Sequence, residues 1–335
     1  MAFLYVIEQG AVIRKTGQRI LVEKDEETLL EIPRDKLDAI LVFGNVTLTT
    51  PALSDLLDSG IEVALLTRHG RIKGQLTPAK SRNIVLRLEQ FRRHEDQTFR
   101  LEISREIVSA KVHNARALMR SFSYNHPEAR CEVADERLSA ILEQVARADA
   151  LSSLNGLEGA AAQAYFEAFG RFCLGELRFE GRNRRPPRDP VNSLLSFGYT
   201  LVFNEILSLL DAMGFDPYLG FYHEVDYGRA SLAADLLEEF RHPIVDRLTL
   251  HLVNHKVFRP EHFIKDARTG EVRFQQRALG TYFEQFERMM SKEKPESAAA
   301  PPGPASLRAC VRAQAEAMAG LLMGRAERYI AFRLK

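Results

Sequence analysis

Up to residue 76 the chain consists of the short apolar runs that a β domain needs. Residues 3–7, 11–14, 19–22, 28–32, 37–43, 46–48, 61–66 and 71–76 are rich in Val, Ile, Leu and aromatic side chains, which fit a pleated, half-buried surface. Gly10, Thr16-Gly17 and Lys24-Asp25-Glu26 separate the first four runs, as hairpin turns do. One helix interrupts the strands. Thr49-Thr50-Pro51 opens A-L-S-D-L-L-D-S-G with proline in the first turn, and Gly60 stops it, the usual order of helix start and stop signals.

From about residue 80 the apolar spacing changes to steps of three and four, the period of an amphipathic helix. Helices are predicted over 84–91, 99–120, 134–148, 151–177, 191–213, 231–240, 244–255 and 307–334. Residues 181–190, G-R-N-R-R-P-P-R-D-P, cannot continue a helix, because proline removes a donor and clashes with the preceding turn. Residues 292–306, K-E-K-P-E-S-A-A-A-P-P-G-P-A-S, have the composition of a flexible loop. The expected fold class is α+β and multidomain: a small N-terminal β domain with one helix at 1–78, then a large all-α C-terminal domain at 79–335, each able to bury its own core.

Composition narrows the class without naming a function. A chain of 335 residues fits two domains, and 45% hydrophobic with 27% charged residues is ordinary for a soluble globular protein. The 46 Lys and Arg nearly cancel the 45 Asp and Glu, so only local basic stretches remain to make a nucleic-acid face. Cys131, Cys173 and Cys310 are odd in number and form no C-x-x-C. Neither a zinc ribbon nor a disulfide framework is indicated, and reduced thiols in a reducing compartment are expected. The start, M-A-F-L-Y-V-I-E-Q-G, lacks the basic-then-apolar build of a signal peptide. No apolar run approaches the ~20 residues of a bilayer span. The expectation is a cytoplasmic protein without membrane contact. The absence of G-x-x-x-x-G-K-[ST], G-x-S-x-G and H-E-x-x-H removes support for a nucleotide hydrolase, a serine hydrolase or a zinc protease.

Three metal-ligand side chains stand in particular neighbourhoods: Glu158, His223 and Glu238. Two carboxylates and an imidazole can hold a divalent cation and leave positions open for water or phosphate oxygens. Glu158 lies in L-N-G-L-E-G-A-A-A-Q-A-Y-F, whose small residues let a helix or ligand approach. Taken alone, a surface glutamate on an alanine-rich helix is the simpler reading. His223 closes the turn-rich segment G-F-D-P-Y-L-G-F-Y-H; without a second histidine at ligand spacing, a hydrogen-bonded loop histidine is the simpler reading. In S-L-A-A-D-L-L-E-E-F-R, Asp235 and Glu238 fall about 60° apart on the helix wheel, opposite the apolar arc. Such a pair can share a cation, but a face turned to water is the simpler local reading. Arg182, Arg184, Arg185 and Arg188 cluster on the proline-stiffened loop, and Arg229, Arg241 and Arg247 bracket the Glu238 helix. Guanidinium forks fit phosphate oxygens, though arginine-rich loops also bind acidic protein surfaces.

Taken in order, N-G-L-E-G-A-A-A-Q-A-Y-F, R-R-P-P-R-D-P-V-N-S-L-L-S-F-G-Y, G-F-D-P-Y-L-G-F-Y-H and S-L-A-A-D-L-L-E-E-F-R resemble the CRISPR-associated integrase family, the universal subunit of spacer acquisition. G-N-V-T-L-T-T-P-A-L and G-I-E-V-A-L-L are similar to that family's β domain, and the end of the chain, with Tyr329 after Gly324, to its last helix. The resemblance implies a homodimer joined through the β domains. It also implies a heterohexamer with a small ferredoxin-like partner subunit, and double-stranded DNA, both prespacer and CRISPR repeat, as substrate. An end-processing nuclease is a further implied partner. By the same resemblance Glu158, His223 and Glu238 are both the catalytic residues and the ligands of Mg²⁺ or Mn²⁺, with Asp235 supporting. The implied reaction is metal-assisted transesterification. Arg182, Arg184, Arg185, Arg188, Arg229 and Arg241 are the expected DNA contacts. Two departures stand out: Ala230 where many members have proline, and His242 where proline often follows E-F-R. A repair nuclease without integration and a non-catalytic scaffold are the alternatives.

Overall fold

In the computed structural model, which describes residues 3–68, 70, 72–77, 83–183, 186–294 and 305–335, the N-terminal apolar runs form two four-stranded sheets. The elements are β1 (Phe3–Val6), β2 (Val12–Thr16), β3 (Arg19–Lys24), β4 (Glu27–Pro33), β5 (Ala39–Phe43), β6 (Thr47–Leu48), α1 (Thr50–Asp58), β7 (Glu62–Leu66) and β8 (Ile72–Leu76). One sheet runs β4-β3-β2-β6 and the other β1-β5-β7-β8. Asp25 and Glu26 both take positive φ, 50° and 68°, as a two-residue turn between twisted antiparallel strands requires. Ile20 and Val22, two apart on β3, turn to the same side. They join Ile13, Ile40, Val42, Leu56 and Val63 in one buried cluster.

The remaining elements are α2 (Ile84–Glu95), α3 (Gln97–Asn125), α4 (Glu132–Arg147), α5 (Leu151–Phe172), α6 (Pro190–Met213), α7 (Ser231–Phe240), α8 (Arg247–Asn254), β9 (Phe263–Lys265), β10 (Val272–Phe274), α9 (Gln276–Ser291) and α10 (Leu307–Leu322). The hairpin of β9 and β10 makes this part predominantly rather than wholly helical. The chain divides into two units, Met1–Arg82 with Phe274–Phe283, and Asn83–Arg273 with Glu284–Lys335. A cut at 78/79 leaves residues 274–283 with the helices, whereas here they return to the β unit, where the Phe283 ring stacks on Tyr5 with centroids 4.3 Å apart.

Within the helical unit α3 packs against α4, α5 and α7, and α6 against α7 and α8. Asp189 caps α6, accepting from the Asn192 N–H at 2.8 Å, and Gly214 ends it at φ 96°, where a left-handed residue closes a helix most cheaply. Among the described residues α6 is long and apolar enough to cross a membrane, but 67% of an 18-residue apolar window within it is buried inside the protein. The expectation that no run reaches that length is corrected: α6 is a core helix of that length.

Three predicted boundaries also move. The helix expected at 244–255 is preceded by a π-helical stretch, Arg241–Asp246, and α8 begins only at Arg247. Pro243 cannot donate to the carbonyl four residues back, and that Glu239 carbonyl instead accepts from Asn114 Nδ2 at 2.8 Å. The helix expected at 307–334 stops at Leu322, just before Gly324 at φ 68°. The last residues, 329–335, have no regular secondary structure and are held by side chains of α3 and α7. Of the proposed loop at 292–306, Glu293–Lys294 pairs antiparallel with Ala305–Ser306, and 295–304 lie outside the described residues.

Candidate functional site

Helix α7 is buried along its length except at Ala234, which is partly exposed. Asp235, Glu238 and Glu239 are 0%, 3% and 0% exposed, as deeply buried as Leu232, Leu236 and Phe240. The reading of Asp235 and Glu238 as a solvated face is therefore wrong. A wheel separates polar from apolar arcs, but it cannot tell water from another part of the chain, and here α3 and the 220–223 loop meet what the wheel leaves open. Buried carboxylates need partners.

Glu238 finds them in three neighbours, two cationic side chains and an imidazole. Lys111 of α3 brings Nζ to 2.5 Å from Glu238 Oε2, and Arg241 brings Nε to 2.9 Å from the same oxygen. Both contacts are ion pairs whose angles fall short of hydrogen-bond geometry at Oε2 and at Arg241 Nε. The same lysine ammonium also contacts Oε1 of Glu158 on α5. His223 brings Nε2 to 4.0 Å from Glu238 Oε1. Burial alone would raise the Glu238 carboxyl; the positive charges of Arg241 and Lys111, with His223, outweigh it and hold it well below the usual carboxylate range,. Glu158, His223 and Glu238 are thus brought to one place. They do not touch one another as a closed ligand set: among the described residues no group of three His, Cys, Asp or Glu stands ready to hold a metal ion, because the lysine lies between the two glutamates.

Asp235 organises the histidine. Its Oδ2 accepts from the N–H groups of Phe221 and Tyr222 at 2.6 and 3.0 Å, and its Oδ1 from the N–H of His223 at 2.9 Å. Oδ1 also accepts from His223 Nδ1 at 2.7 Å, which leaves Nε2 turned toward Glu238. The loop can close this tightly on α7 because residue 220 is glycine. A Cβ there would lie 2.6 Å from Asp235 Oδ2 and 2.7 Å from the Ser231 carbonyl carbon. Helices α2 and α3 pin the loop from behind. Gln90 Nε2 donates to the Asp216 and Leu219 carbonyls at 2.8 and 2.7 Å, and Arg100 Nε to the Phe221 carbonyl at 3.1 Å.

Arg241 stands on the π-helical stretch with its guanidinium 4.6 Å over the Tyr199 ring, and π turns frequently mark functional sites. His242, the departure from the expected proline, is buried, with Nδ1 2.6 Å from Asp246 Oδ2, and Asp246 also accepts from the Tyr199 hydroxyl.

The arginines separate into two groups. Arg188 and Arg229 are exposed. Arg182 is half-buried and directed inward, donating to Asn192 Oδ1 at 2.7 Å and to Ser196 Oγ at 3.3 Å. Arg241 is directed inward likewise, its side chain only 17% exposed and paired with Glu238. Arg184 and Arg185 lie outside the described residues. Sequence reasoning passed over Lys111. Its signal was positional: with Ile107, Asn114 and Leu118 it occupies the inward stripe of α3, all four buried, where a lysine needs an anionic partner.

Comparison with known proteins follows the same lines. A profile of the family described as CRISPR associated protein Cas1 matches residues 4–288. The CRISPR-associated endonuclease Cas1 1 of Chlorobaculum tepidum is 35% identical over 297 residues, covering 87% of this chain and 86% of that protein. A CRISPR-associated exonuclease Cas4/endonuclease Cas1 fusion of Geobacter sulfurreducens is 35% identical over 298 residues, 87% of this chain and 53% of the fusion. Among solved structures, a chain of a Cas6-RT-Cas1–Cas2 complex superposes with a TM-score of 0.82 at 27% identity, covering 100% of this chain and 36% of that one. A casposase bound to an integration product reaches 0.86 at 22% identity, covering 98% and 92%, a likeness of fold.

Proposed function

The chain belongs to the CRISPR associated protein Cas1 family, and from that premise we propose that it inserts fragments of foreign DNA into a CRISPR array by metal-dependent transesterification. The observation that carries this reading is the convergence of Glu158 of α5 and Glu238 of α7 on one ammonium group, with the loop residue His223 4.0 Å from Glu238. Two carboxylates that already share a cationic partner, beside an imidazole whose Nδ1 is tied down, form a donor set of oxygen and nitrogen suited to Mg²⁺ or Mn²⁺. When bound, such a cation supplies Lewis acidity at the scissile phosphate and lowers the pKa of an attacking oxygen.

The chain's own residues do the positioning. Asp235 fixes the imidazole so that Nε2, rather than Nδ1, is presented,. Arg241 and Lys111 keep Glu238 ionised and therefore able to act as a ligand. Exposed Arg188 and Arg229 meet the phosphate backbone of double-stranded DNA, prespacer or CRISPR repeat, as basic side chains at a surface do. The working assembly is a homodimer joined to a small ferredoxin-like partner as a heterohexamer in the cytoplasm. The Cas1–Cas2 pairing in the superposed complex supports the partner. The Cas4 fusion of a relative supports an end-processing nuclease acting nearby.

The test is strand transfer into a supercoiled, repeat-bearing plasmid with Mg²⁺ or Mn²⁺, with and without the small partner. Glu158→Ala is expected to lose at least ~100-fold in rate, the scale on which charge-stabilising groups act. Full joining by that variant sinks the assignment, and metal-dependent cutting without joining by the unmodified protein points to a repair nuclease instead.

A further inference from the structure

We propose that Lys111 is a built-in counter-ion, which occupies the place between Glu158 and Glu238 in the metal-free protein and withdraws when a divalent cation binds there. The inference rests on the cation-site reading above and deepens it.

Four observations carry it. Lys111 is 7% exposed, and a lysine so deeply buried needs its charge matched. Its Nζ contacts one oxygen of each glutamate, so the ammonium stands where a cation bridging those two carboxylates would stand. Lys111 and Arg241 balance Glu158 and Glu238 charge for charge. A divalent ion added to that balanced set leaves an excess positive charge, and the lysine ammonium then sits beside a like charge at contact range. Finally, a cavity of about 20 Å³ adjoins the pair, lined among others by Lys111, Ala161, Ala162, Tyr165, Arg241 and His242. That is room for about one water, and Ala161 and Ala162 bound it with small side chains. Of the two cations on Glu238, the lysine is the one able to leave. Its head is a compact point charge on a flexible stem, whereas the Arg241 guanidinium is stacked on Tyr199.

Ammonium and metal therefore compete for the same oxygens. The lysine keeps the two carboxylates together before metal arrives, and it weakens metal binding by the amount it must be displaced. Lys111→Met, similar in length and uncharged, separates these effects when the full-length chain is titrated with Mn²⁺ alone. Affinity is read by calorimetry or electron paramagnetic resonance, and Tm is recorded in EDTA and in Mn²⁺. The variant is expected to bind Mn²⁺ about tenfold or more tightly than the unmodified protein, within the usual range for coupled sites. Its Tm is expected to fall in EDTA and to rise on adding Mn²⁺ by more than the unmodified protein's does. If the variant does not fold in EDTA, folding restored by Mn²⁺ supports the inference. Failure of Mn²⁺ to restore it overturns the inference. Lys111→Arg, which keeps the charge on a bulkier head, is expected to bind Mn²⁺ more weakly than the unmodified protein; equal or tighter binding counts against the inference. Mn²⁺ binding that is lost in Glu158→Gln but unchanged in Lys111→Met overturns this inference and leaves the cation site standing. No Mn²⁺ binding by any of these proteins overturns the cation site, and the inference with it.

Discussion

Glu238 and Glu239 are neighbours in sequence, both buried on α7, yet the protein surrounds them with opposite chemistry. Glu238 faces Lys111 and Arg241 and is held ionised. Glu239 faces the other way, accepting from the Tyr329 hydroxyl and from the Phe332 N–H at 2.7 Å, both uncharged donors. Burial pushes the Glu239 carboxyl up to about 8, against the hydrogen bonds from Tyr329 and Phe332 that lower it. A step of ~100° around the helix is enough to turn one glutamate into a charged site residue and the other into a clasp for the end of the chain. Burial alone decides neither role; the charge of the groups met on burial does.

The largest effect that tests this contrast comes from neutralising each residue in turn. Glu238→Gln strands Lys111 and Arg241 without their shared carboxylate, and breaking a buried ion pair from one side costs about 3 kcal/mol or more. Glu239→Gln keeps a neutral, hydrogen-bonding group of the same shape and is expected to cost less than ~1 kcal/mol at pH 7. Urea midpoints in metal-free buffer measure both, and equal losses erase the distinction. Next in size is Asp235→Asn. The amide nitrogen must face one of the donors that Asp235 now accepts from, so the imidazole loses its anchor. The expected loss in metal-dependent strand transfer is about 10–100-fold, with DNA affinity unchanged; undiminished turnover removes Asp235 from the positioning role.

The smallest and most specific effect is in pH dependence. Glu239 has its carboxyl raised from an ordinary 4.5 to about 8. The unfolded chain therefore ionises first, so this group's contribution to stability is full below 4.5 and is lost as the pH rises to about 8. Glu238 has its carboxyl lowered, so its contribution is present above 4.5 and is lost as the pH falls below that value. Tm followed in EDTA should decline less steeply between pH 4.5 and 8 in Glu239→Gln, and less steeply on acidification in Glu238→Gln. The reverse pairing of slopes refutes the assignment of surroundings made here.

Much of this was legible along the chain. The two-period pattern and the turn at Lys24-Asp25-Glu26 mark the β meander, because strand alternation and turn chemistry are local. Pro243 announces a break between α7 and α8, since a missing N–H has the same consequence in any context. Glu158, His223 and Glu238 were legible through the order of their motifs. What they do for one another was not. Lys111 lies 47 residues before Glu158, and no local pattern couples such distant groups.

Local periodicity determined which segments are strands and which are helices, because it depends only on backbone geometry and near neighbours. Tertiary packing alone decided which polar face meets water. It buried the Asp235–Glu238 arc under α3 and the 220–223 loop, turned Arg182 and Arg241 inward, and ended the last helix so that residues 329–335 could clasp Glu239. A helix wheel records directions, and only the elements that arrive from elsewhere in the chain determine what stands in each direction.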